Sequence, residues 1–243
     1  MSVKTILHIL VVGSCGKSKL TTCENPPGCK DITCKADLSI WRKRYDSLAT
    51  PASKMYTGNQ NRELVKGVLL LRKIAETEVD LKIISAGFGF LDENELIPPY
   101  ECSFSGMKRS QIISRSERLE IGADFEQICK IGFDLIYLAL GTDYFLALGD
   151  RWKKLARTTV IGFNKKLIEA FTLRIPSGHK IVHALSEKGY KIHGVTGFKG
   201  DLLRILAEHA LKTQDPRYEI LKWKQPSYLQ DLIQRISGFS CLD

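Results

Sequence analysis

Four short apolar runs, rich in β-branched and aromatic residues, lie in the first two thirds of the chain. They are Ile6–Val12, Leu81–Ser85, Phe133–Leu140 and Thr158–Phe163. A run of this length between turn residues is typical of a strand buried on both faces of a sheet. Apolar residues at helical spacing lie between the runs, at Arg62–Thr77 and Ser116–Ile131. Strands that alternate with helices favour an α/β fold with a mixed, largely parallel central sheet flanked by helices.

The same pattern divides the chain into two parts. Residues 1–172 are predicted to form an α/β core domain, interrupted at 21–52 by a cysteine-rich insertion with little periodicity. A long ordered loop inside a domain is usually functional or held in place by a metal. Residues 173–243 are predicted to form a small helical C-terminal subregion. Its expected helices are Gly178–Glu187, Asp201–Lys212 and Pro226–Ile236.

Charge narrows the class of partner. Lysine and arginine outnumber aspartate and glutamate by 36 to 27, so the formal net charge is +9. This balance favours DNA or another polyanion, because a lysine or arginine that neutralises a phosphate releases a condensed counterion. A merely basic, solvated surface is the alternative. No segment approaches the roughly 18 apolar residues of a membrane span, and the short apolar start fits a strand better than a secretion signal. These features predict a cytoplasmic protein with no membrane partner and leave the oligomeric state open.

The cysteines favour free thiols over a metal site. There are seven, an odd number, which argues against a closed disulfide framework and indicates a reducing compartment. Four thiolates could hold zinc, but a zinc ribbon normally has two Cys-x-x-Cys pairs and the insertion has none. Whether Cys23, Cys29 and Cys34 bind zinc stays open, and neither a metal nor a cofactor is predicted.

The turn after the first strand, Gly13–Ser18, is similar to the end of a phosphate-binding P-loop. Val11 stands where that loop needs glycine and no helix is predicted to follow, so a nucleoside-triphosphatase is excluded. Backbone amides together with Lys17 and Lys19 could still cradle an anion, with a solvated basic turn as the alternative. The two lysines are expected to favour the thiolate of Cys15 and make it reactive.

The stretch from Ser85 to Tyr100 combines glycines, aromatic residues and acids directly after a buried strand. Glycines such as Gly89 permit the close approach of a ligand. Phe88 is a candidate to stack on a nucleobase, and Asp92 is a candidate acid or base. The alternative is a rigid connector with a solvated acidic face.

A third glycine-containing loop places Asp143 and Tyr144 after the third predicted strand. A carboxylate at a strand end can stabilise a developing oxocarbenium ion or polarise water. Equally, Asp143 could cap the helix that follows.

The segment Gly194–Gly200 precedes a predicted amphipathic helix in the C-terminal subregion. Gly197, Lys199 and Gly200 at a helix N-terminus suit a DNA phosphate, and a turn with a helix cap is the alternative.

Three motifs occur in a fixed order along the chain. They are Ser14–Leu20, Pro51–Gly58, and Ser85–Leu91 with Ile97–Tyr100. In this order they resemble the motif set of YaaA-like proteins, which include uncharacterised YaaA relatives and, more distantly, the lysine-bearing domain of archaeosine synthase. The resemblance covers about residues 6–145, with weaker similarity at Gly194–Gly200. The chain departs from the family in a longer segment between Lys19 and Pro51, and in Ala86-Gly87-Phe88, where Ala-Lys-Tyr is more frequent.

The resemblance implies a compact α/β fold with a basic cleft. DNA binding is associated with YaaA, and 7-deazaguanine base chemistry with the archaeosine relatives. The site residues carried over by position are Cys15, Lys17, Tyr56, Ser85, Gly89 and Tyr100.

These observations predict a DNA glycosylase-like enzyme that cleaves or exchanges the N-glycosidic bond of a modified nucleobase, in repair or in phage defence. The expected catalytic residues are Asp143, Lys17, Cys15 and Asp92. The expected base-binding residues are Ser85, Phe88, Gly89, Tyr100, Tyr56 and Tyr144. The expected phosphate contacts are Lys19, Gly197, Lys199 and Gly200. The alternatives are a non-catalytic DNA-binding stress-response protein and an enzyme acting on a free nucleobase.

Overall fold

The computed structural model of the chain describes residues 6–155, 158–169 and 171–239. Its strands are β1 (Leu7–Ser14), β2 (Thr50–Pro51), β3 (Thr77–Ser85), β4 (Gly89–Asp92), β5 (Leu96–Ile97), β6 (Leu135–Leu138), β7 (Thr159–Gly162) and β8 (Thr172–Arg174). Its α-helices are α1 (Asp37–Arg44), α2 (Ala52–Met55), α3 (Asn59–Leu71), α4 (Arg109–Arg118), α5 (Ile121–Cys129), α6 (Thr142–Leu148), α7 (His179–Glu187), α8 (Gly194–Leu211), α9 (Pro216–Lys222) and α10 (Pro226–Ser237). Within the described ranges, no helix combines the length and apolarity that crossing a bilayer requires.

The predicted fold class is confirmed. Six strands form a central sheet in the order β4-β3-β1-β6-β7-β8, and every neighbouring pair is parallel except β3 with β4. The predicted run Ile6–Val12 corresponds to β1, which lies between β3 and β6. Its unbroken apolar sequence suits this position because both faces of a central parallel strand are covered. The short strands β2 and β5 form a separate antiparallel pair.

One hydrophobic cluster lies on each face of the sheet. Alternate β1 residues point to opposite faces, so Leu10 and Val12 join one cluster while Ile9 and Val11 join the other. The first cluster is covered by α4, α5, α6 and the insertion, and the second by α3, α7, α8, α9 and α10. The expected boundary at residue 172 falls inside β8. The C-terminal helices, together with α3, form the layer that covers the second cluster.

Close packing explains two glycines of the C-terminal segment, against α3 at Gly200 and against the N-cap residue of α8 itself at Gly197. A Cβ atom at Gly200 would lie 2.2 Å from the carbonyl oxygen of Gln60, and one at Gly197 would lie 2.7 Å from the Cβ atom of His193. Helix α8 begins at Gly194, so both glycines lie inside the helix and are buried. The prediction that Gly197 and Gly200 precede the helix and contact a phosphate was wrong. Gly200 lets α8 approach α3, and Gly197 lies against His193 at the start of its own helix.

A left-handed residue divides the other long helical pattern. The sequence predicted one helix over Ser116–Ile131, but Glu120 has a φ of 55° and separates α4 from α5. The hydrophobic spacing continues across this break, so the pattern alone does not reveal it.

The insertion is fixed to the core by a disulfide and by one buried arginine. Cys29 and Cys102 form a disulfide, so the prediction of free thiols throughout was wrong, and a zinc site that includes Cys29 is excluded. The guanidinium of Arg115 donates hydrogen bonds to the carbonyl oxygens of Ala86, Cys29 and Ile32. Three segments that are distant along the chain are thereby joined.

Candidate functional site

The carboxyl ends of β1, β3 and β6 lie side by side at one edge of the sheet. Cys15 follows β1, Ser85 ends β3, and the loop at Gly141 follows β6. Gln60, from the first turn of α3, donates to the carbonyl oxygen of Ala139 at 3.1 Å and so fixes the β6 loop. In open α/β sheets, ligands bind at this edge.

Two tyrosines and a serine form a buried hydrogen-bond network at the end of β3. The hydroxyl of Tyr100 lies 2.8 Å from that of Tyr56 and 2.9 Å from Ser85 Oγ. Ser85 Oγ also accepts hydrogen bonds from the amides of Gly87 and Phe88. Tyr56 and Tyr100 are each 1 % exposed. This network holds the β3–β4 turn in a single arrangement.

Cys15 lies next to this network and is paired with a third tyrosine. Its Sγ atom is 2.8 Å from the hydroxyl of Tyr144 and accepts a 3.5 Å hydrogen bond from the amide of Ala86. Cys15 is buried, whereas Tyr144 is only partly buried. Tyr144 is therefore the member of the cluster that can be reached from solvent.

Burial keeps the three phenol groups neutral. Desolvation, and secondarily the proximity of Cys15, raise the pKa values of Tyr56, Tyr100 and Tyr144 above the ordinary range. A neutral phenol can both donate and accept a hydrogen bond. Ser85, Tyr56 and Tyr100 are enclosed and bonded to one another, so the prediction that they bind a base directly was wrong. Tyr144 is the neutral phenol that is partly exposed, and a base-binding role for it stays a prediction.

The two lysines predicted to cradle an anion lie in different environments. The Lys19 side chain is 4 % exposed, and its Nζ atom lies 4.7 Å from the ring centroid of Tyr100 and 3.8 Å from Glu101. Because it is enclosed by protein, it is not available to a DNA phosphate, and that assignment was wrong. Lys17 is exposed on the same loop.

Asp143 is the second residue of α6 and directly precedes Tyr144. The N-cap position of α6 is Gly141, so Asp143 does not cap the helix, although an acid in the first turn is favourably placed against the helix dipole. Asp143 is partly exposed. Of the two predicted catalytic acids, Asp143 and Asp92, it is the one that follows a strand end at this edge of the sheet.

Asp92 lies away from this edge. Its carboxylate lies 2.6 Å from the Nζ atom of Lys82, its partner across the β3–β4 ladder. Lys82 is three residues before Ser85, the residue that ends β3. Burial alone would raise its pKa, but the hydrogen bond from Lys82 and the amide of Asn94 outweigh burial and lower it. Asp92 is therefore a structural ion-pair partner, and its predicted catalytic role was wrong.

The β3–β4 turn does not offer a stacking surface. Phe88 is 1 % exposed, and its ring meets the Tyr100 ring edge-on at 4.8 Å. The prediction that it stacks on a base was wrong, because its ring is already enclosed in the core. Gly89 has a φ of 85°, and a Cβ atom there would lie 2.7 Å from the carbonyl oxygen of Leu119. The need for glycine at this position comes from its left-handed backbone and from the close approach of the end of α4.

Lys199 lies on α8 beside the end of β7. Its Nζ atom is 5.7 Å from the ring centroid of Phe163, and its carbonyl oxygen accepts a hydrogen bond from Tyr137. Desolvation lowers its pKa, and no carboxylate pairs with it in the part of the chain that the structure describes. A phosphate contact by Lys199 stays a prediction.

Sequence reasoning missed a polar cluster between α3 and α8. Glu63, His193 and Asp201 offer ligand atoms within 4.8 Å of one another. The carboxylates are already bonded, since Asp201 accepts from the ring and amide of His193, and Glu63 pairs with Arg204. This arrangement is typical of an interhelical bridge rather than a metal centre. No spacing in the sequence could have revealed it, because its members come from two helices far apart in the chain.

No family model matches the chain, and no curated protein is similar to it in sequence. The resemblance to YaaA-like proteins therefore stays a prediction, and the function has to be argued from the site.

Proposed function

We propose that the protein is a DNA-acting enzyme that cleaves or exchanges the N-glycosidic bond of a modified nucleobase, in repair or in defence against phage DNA. The observation that carries the proposal is the Cys15–Tyr144 pair at the ligand-binding edge of the sheet, with Asp143 adjacent to it in α6. The net charge of +9 supports a polyanionic substrate.

The roles follow from the chemistry of each group. The target nucleotide is turned out of the duplex, so that its base lies against Tyr144. Hydrolysis breaks the C1′–N bond, forms a C1′–O bond to water and passes one proton to the departing base. Asp143 stabilises the positive charge at C1′ and accepts a proton from the attacking water. The neutral hydroxyl of Tyr144 donates a hydrogen bond to the base.

The rest of the cluster positions these groups. Cys15 holds the Tyr144 hydroxyl through its 2.8 Å contact. Ser85, Tyr56 and Tyr100 keep the neighbouring turn rigid through their mutual hydrogen bonds. Because these groups are buried and bonded to one another, they orient the base-binding residue and do not touch the base.

Lys17 supplies a covalent variant of the same reaction. Its exposed amine attacks C1′, the base leaves with a proton, and the sugar ring opens to a Schiff base. Water then hydrolyses the Schiff base and frees the lysine, or a second base forms a new C1′–N bond, loses its proton and displaces the lysine in an exchange. Borohydride distinguishes the two routes, because it reduces the Schiff base to a permanent crosslink.

The first test is to incubate the purified protein with unmodified and hypermodified phage DNA and to measure released bases and alkali-labile abasic sites. We expect release from modified DNA and a decrease of at least about 100-fold for Asp143→Asn, as is typical for loss of a catalytic acid or base. Asp92→Asn is the matched control. Asp92 was also predicted to be a catalytic acid, but it lies away from the carboxyl ends of the strands, in an ion pair with Lys82. Equal activity of Asp143→Asn and wild type would remove Asp143 from the mechanism. A borohydride crosslink that disappears in Lys17→Ala would assign the covalent route.

A second candidate is a non-catalytic DNA-binding protein. It is favoured by the complete mutual satisfaction of Ser85, Tyr56 and Tyr100, which reads equally well as a structural network. Salt-sensitive DNA binding without base release from any DNA, and with no effect of Asp143→Asn, would select this candidate.

A further inference from the structure

The insertion presents a continuous basic segment on helix α1. Arg42, Lys43 and Arg44 are consecutive and exposed. Across residues 6–155, 158–169 and 171–239, no carboxylate forms an ion pair with any of them, whereas lysines such as Lys35 and Lys82 are paired with acids. Consecutive helix positions point in different directions, so these cations surround the last turn of α1 rather than line one face of it. With no counter-charge they leave this end of the helix positively charged, which favours an anionic partner.

Two aromatic rings hold one of these cations in place. Trp41 and Tyr45 lie nearly parallel, with an interplanar angle of 11° and ring centroids 6.2 Å apart. The guanidinium of Arg44 lies 5.1 Å from the Trp41 ring and 5.7 Å from the Tyr45 ring. A cation–π contact fixes the guanidinium without neutralising it, so its donors remain available to a planar acceptor such as a phosphate.

Helix α1 is anchored on the core, because Leu38 belongs to the first hydrophobic cluster and Trp41 packs against it. The Asp37 carboxylate accepts hydrogen bonds from the amides of Thr33 and Cys34 in the preceding turn. Arg115 binds the carbonyl oxygen of Ile32 in the insertion and that of Ala86 in the loop that also contacts Cys15. The basic segment is therefore held in a defined position relative to the site and is not a free arm.

We infer that residues Trp41–Tyr45, here called the α1 surface, contact the DNA backbone. This surface holds the strand whose base enters the candidate site. The inference rests on the proposed function for the identity of the polymer. Arg42, Lys43 and Arg44 neutralise phosphates, and the ring pair positions Arg44 for bidentate contact.

The test replaces the three cations together. The variant Arg42→Gln/Lys43→Gln/Arg44→Gln should bind a DNA oligonucleotide at least about tenfold more weakly at moderate salt, with a salt slope reduced by about one unit for each lost phosphate contact. The matched control is Lys180→Gln/Lys188→Gln/Lys191→Gln. It removes the same charge from exposed lysines in and after α7, on the other layer of the protein.

Each outcome decides between defined alternatives. A slope that falls in the α1 variant and not in the control supports the surface. Equal losses in both variants assign the effect to net charge alone and overturn the proposal. It is equally overturned if an acidic polypeptide of similar charge density binds as tightly as DNA and depends on the same residues, because the partner is then an acidic protein. The urea midpoint of both variants, which should match that of the wild type, establishes that folding is intact.

Base release separates this inference from the proposed function. Loss of binding in the α1 variant, with no base release by the wild type from any DNA, leaves the surface standing and rejects the glycosidic activity. Base release by the wild type, with binding and release unchanged in the α1 variant, retains the activity and rejects the surface.

Discussion

At the scale of single residues, the candidate site consists of polar groups that the core has enclosed. A buried hydroxyl costs free energy unless it is hydrogen-bonded, and leaving one partner unsatisfied costs about 1–3 kcal/mol. Tyr100 meets this requirement by bonding to both Tyr56 and Ser85. Tyr144 meets it by bonding to Cys15. The same desolvation that makes these bonds necessary also keeps the phenols protonated.

The raised tyrosine pKa values predict a loss of stability in alkali. Desolvation raises the pKa values of Tyr56, Tyr100, Tyr137 and Tyr144 in the folded protein, whereas an unfolded tyrosine ionises near about pH 10. Below that pH the contribution of these groups to stability is complete. As the pH rises above it, the unfolded chain releases protons that the folded chain retains, so the free energy of unfolding falls.

Tyrosinate absorbance, recorded during an alkaline titration with far-UV circular dichroism, provides the measurement. We expect fewer than all eight tyrosines to ionise before the helical signal is lost. Titration of the whole set while the protein remains folded would contradict the burial of the network. A titration in concentrated urea supplies the reference for full ionisation.

At the scale of elements, the approach of α8 to α3 decides how the C-terminal segment is attached. Gly67 and Gly200 lie at the crossing, and a Cβ atom at either position would come within 3.0 Å of a neighbouring atom. Arg204 on α8 pairs with Glu63 on α3 and ties the same two helices together. The crossing holds the first turn of α3, which carries Gln60, at the candidate site.

Gly200→Ala should therefore destabilise the protein. The new Cβ atom would lie 2.2 Å from the carbonyl oxygen of Gln60 and 2.9 Å from the amide of Leu64, and these backbone atoms cannot rotate away. We expect a loss of roughly 1–3 kcal/mol or more, the usual cost of overpacking.

The matched control is Gly16→Ala, because a Cβ atom there meets nothing within 4 Å. Its free energy of unfolding in urea should stay within about 0.5–1 kcal/mol of the wild type. Equal values for the two variants would show that α3 and α8 are not in close contact at Gly200.

At the scale of the whole molecule, a single sheet separates two hydrophobic clusters, one on each of its faces. Trp152 lies in the cluster on one face, and Trp223 lies in the cluster on the other, in the C-terminal segment. Both clusters include residues of β1 and β6, so neither can come apart without exposing the sheet to water. The two layers are therefore expected to unfold together.

Variants that retain a single tryptophan test this cooperativity. Trp41→Phe/Trp223→Phe keeps Trp152, and Trp41→Phe/Trp152→Phe keeps Trp223. Within each variant, the urea midpoint from fluorescence should coincide with the midpoint from far-UV circular dichroism, as two-state unfolding requires. Comparing two probes in the same protein removes the effect of the substitutions on stability. An earlier transition for Trp223 would show that the C-terminal helices form an independent unit.

The sequence by itself determined the class of fold and predicted the edge of the sheet at which the candidate site lies. Apolar runs such as Ile6–Val12 mark buried strands because burial on both faces requires continuous hydrophobicity. The residues that end those strands, among them Cys15 and Ser85, were placed at a common edge because parallel strands end on the same side. Both conclusions depend on the local pattern of apolar and polar residues, which can be observed in the sequence without knowledge of tertiary contacts.

Only the tertiary structure decided which of the candidate groups meet. Tyr144 lies 129 positions from its partner Cys15, and no spacing rule relates them. Asp92 looked equally suited to catalysis until its ion pair with Lys82 became visible. Gly200 resembled a phosphate-binding glycine, but its role is set by a helix that begins at Asn59. Periodicity reports whether a side chain is buried, whereas its partner depends on how distant segments pack. For this reason the sequence could propose a candidate edge of the sheet but could not assign the contacts of the residues there.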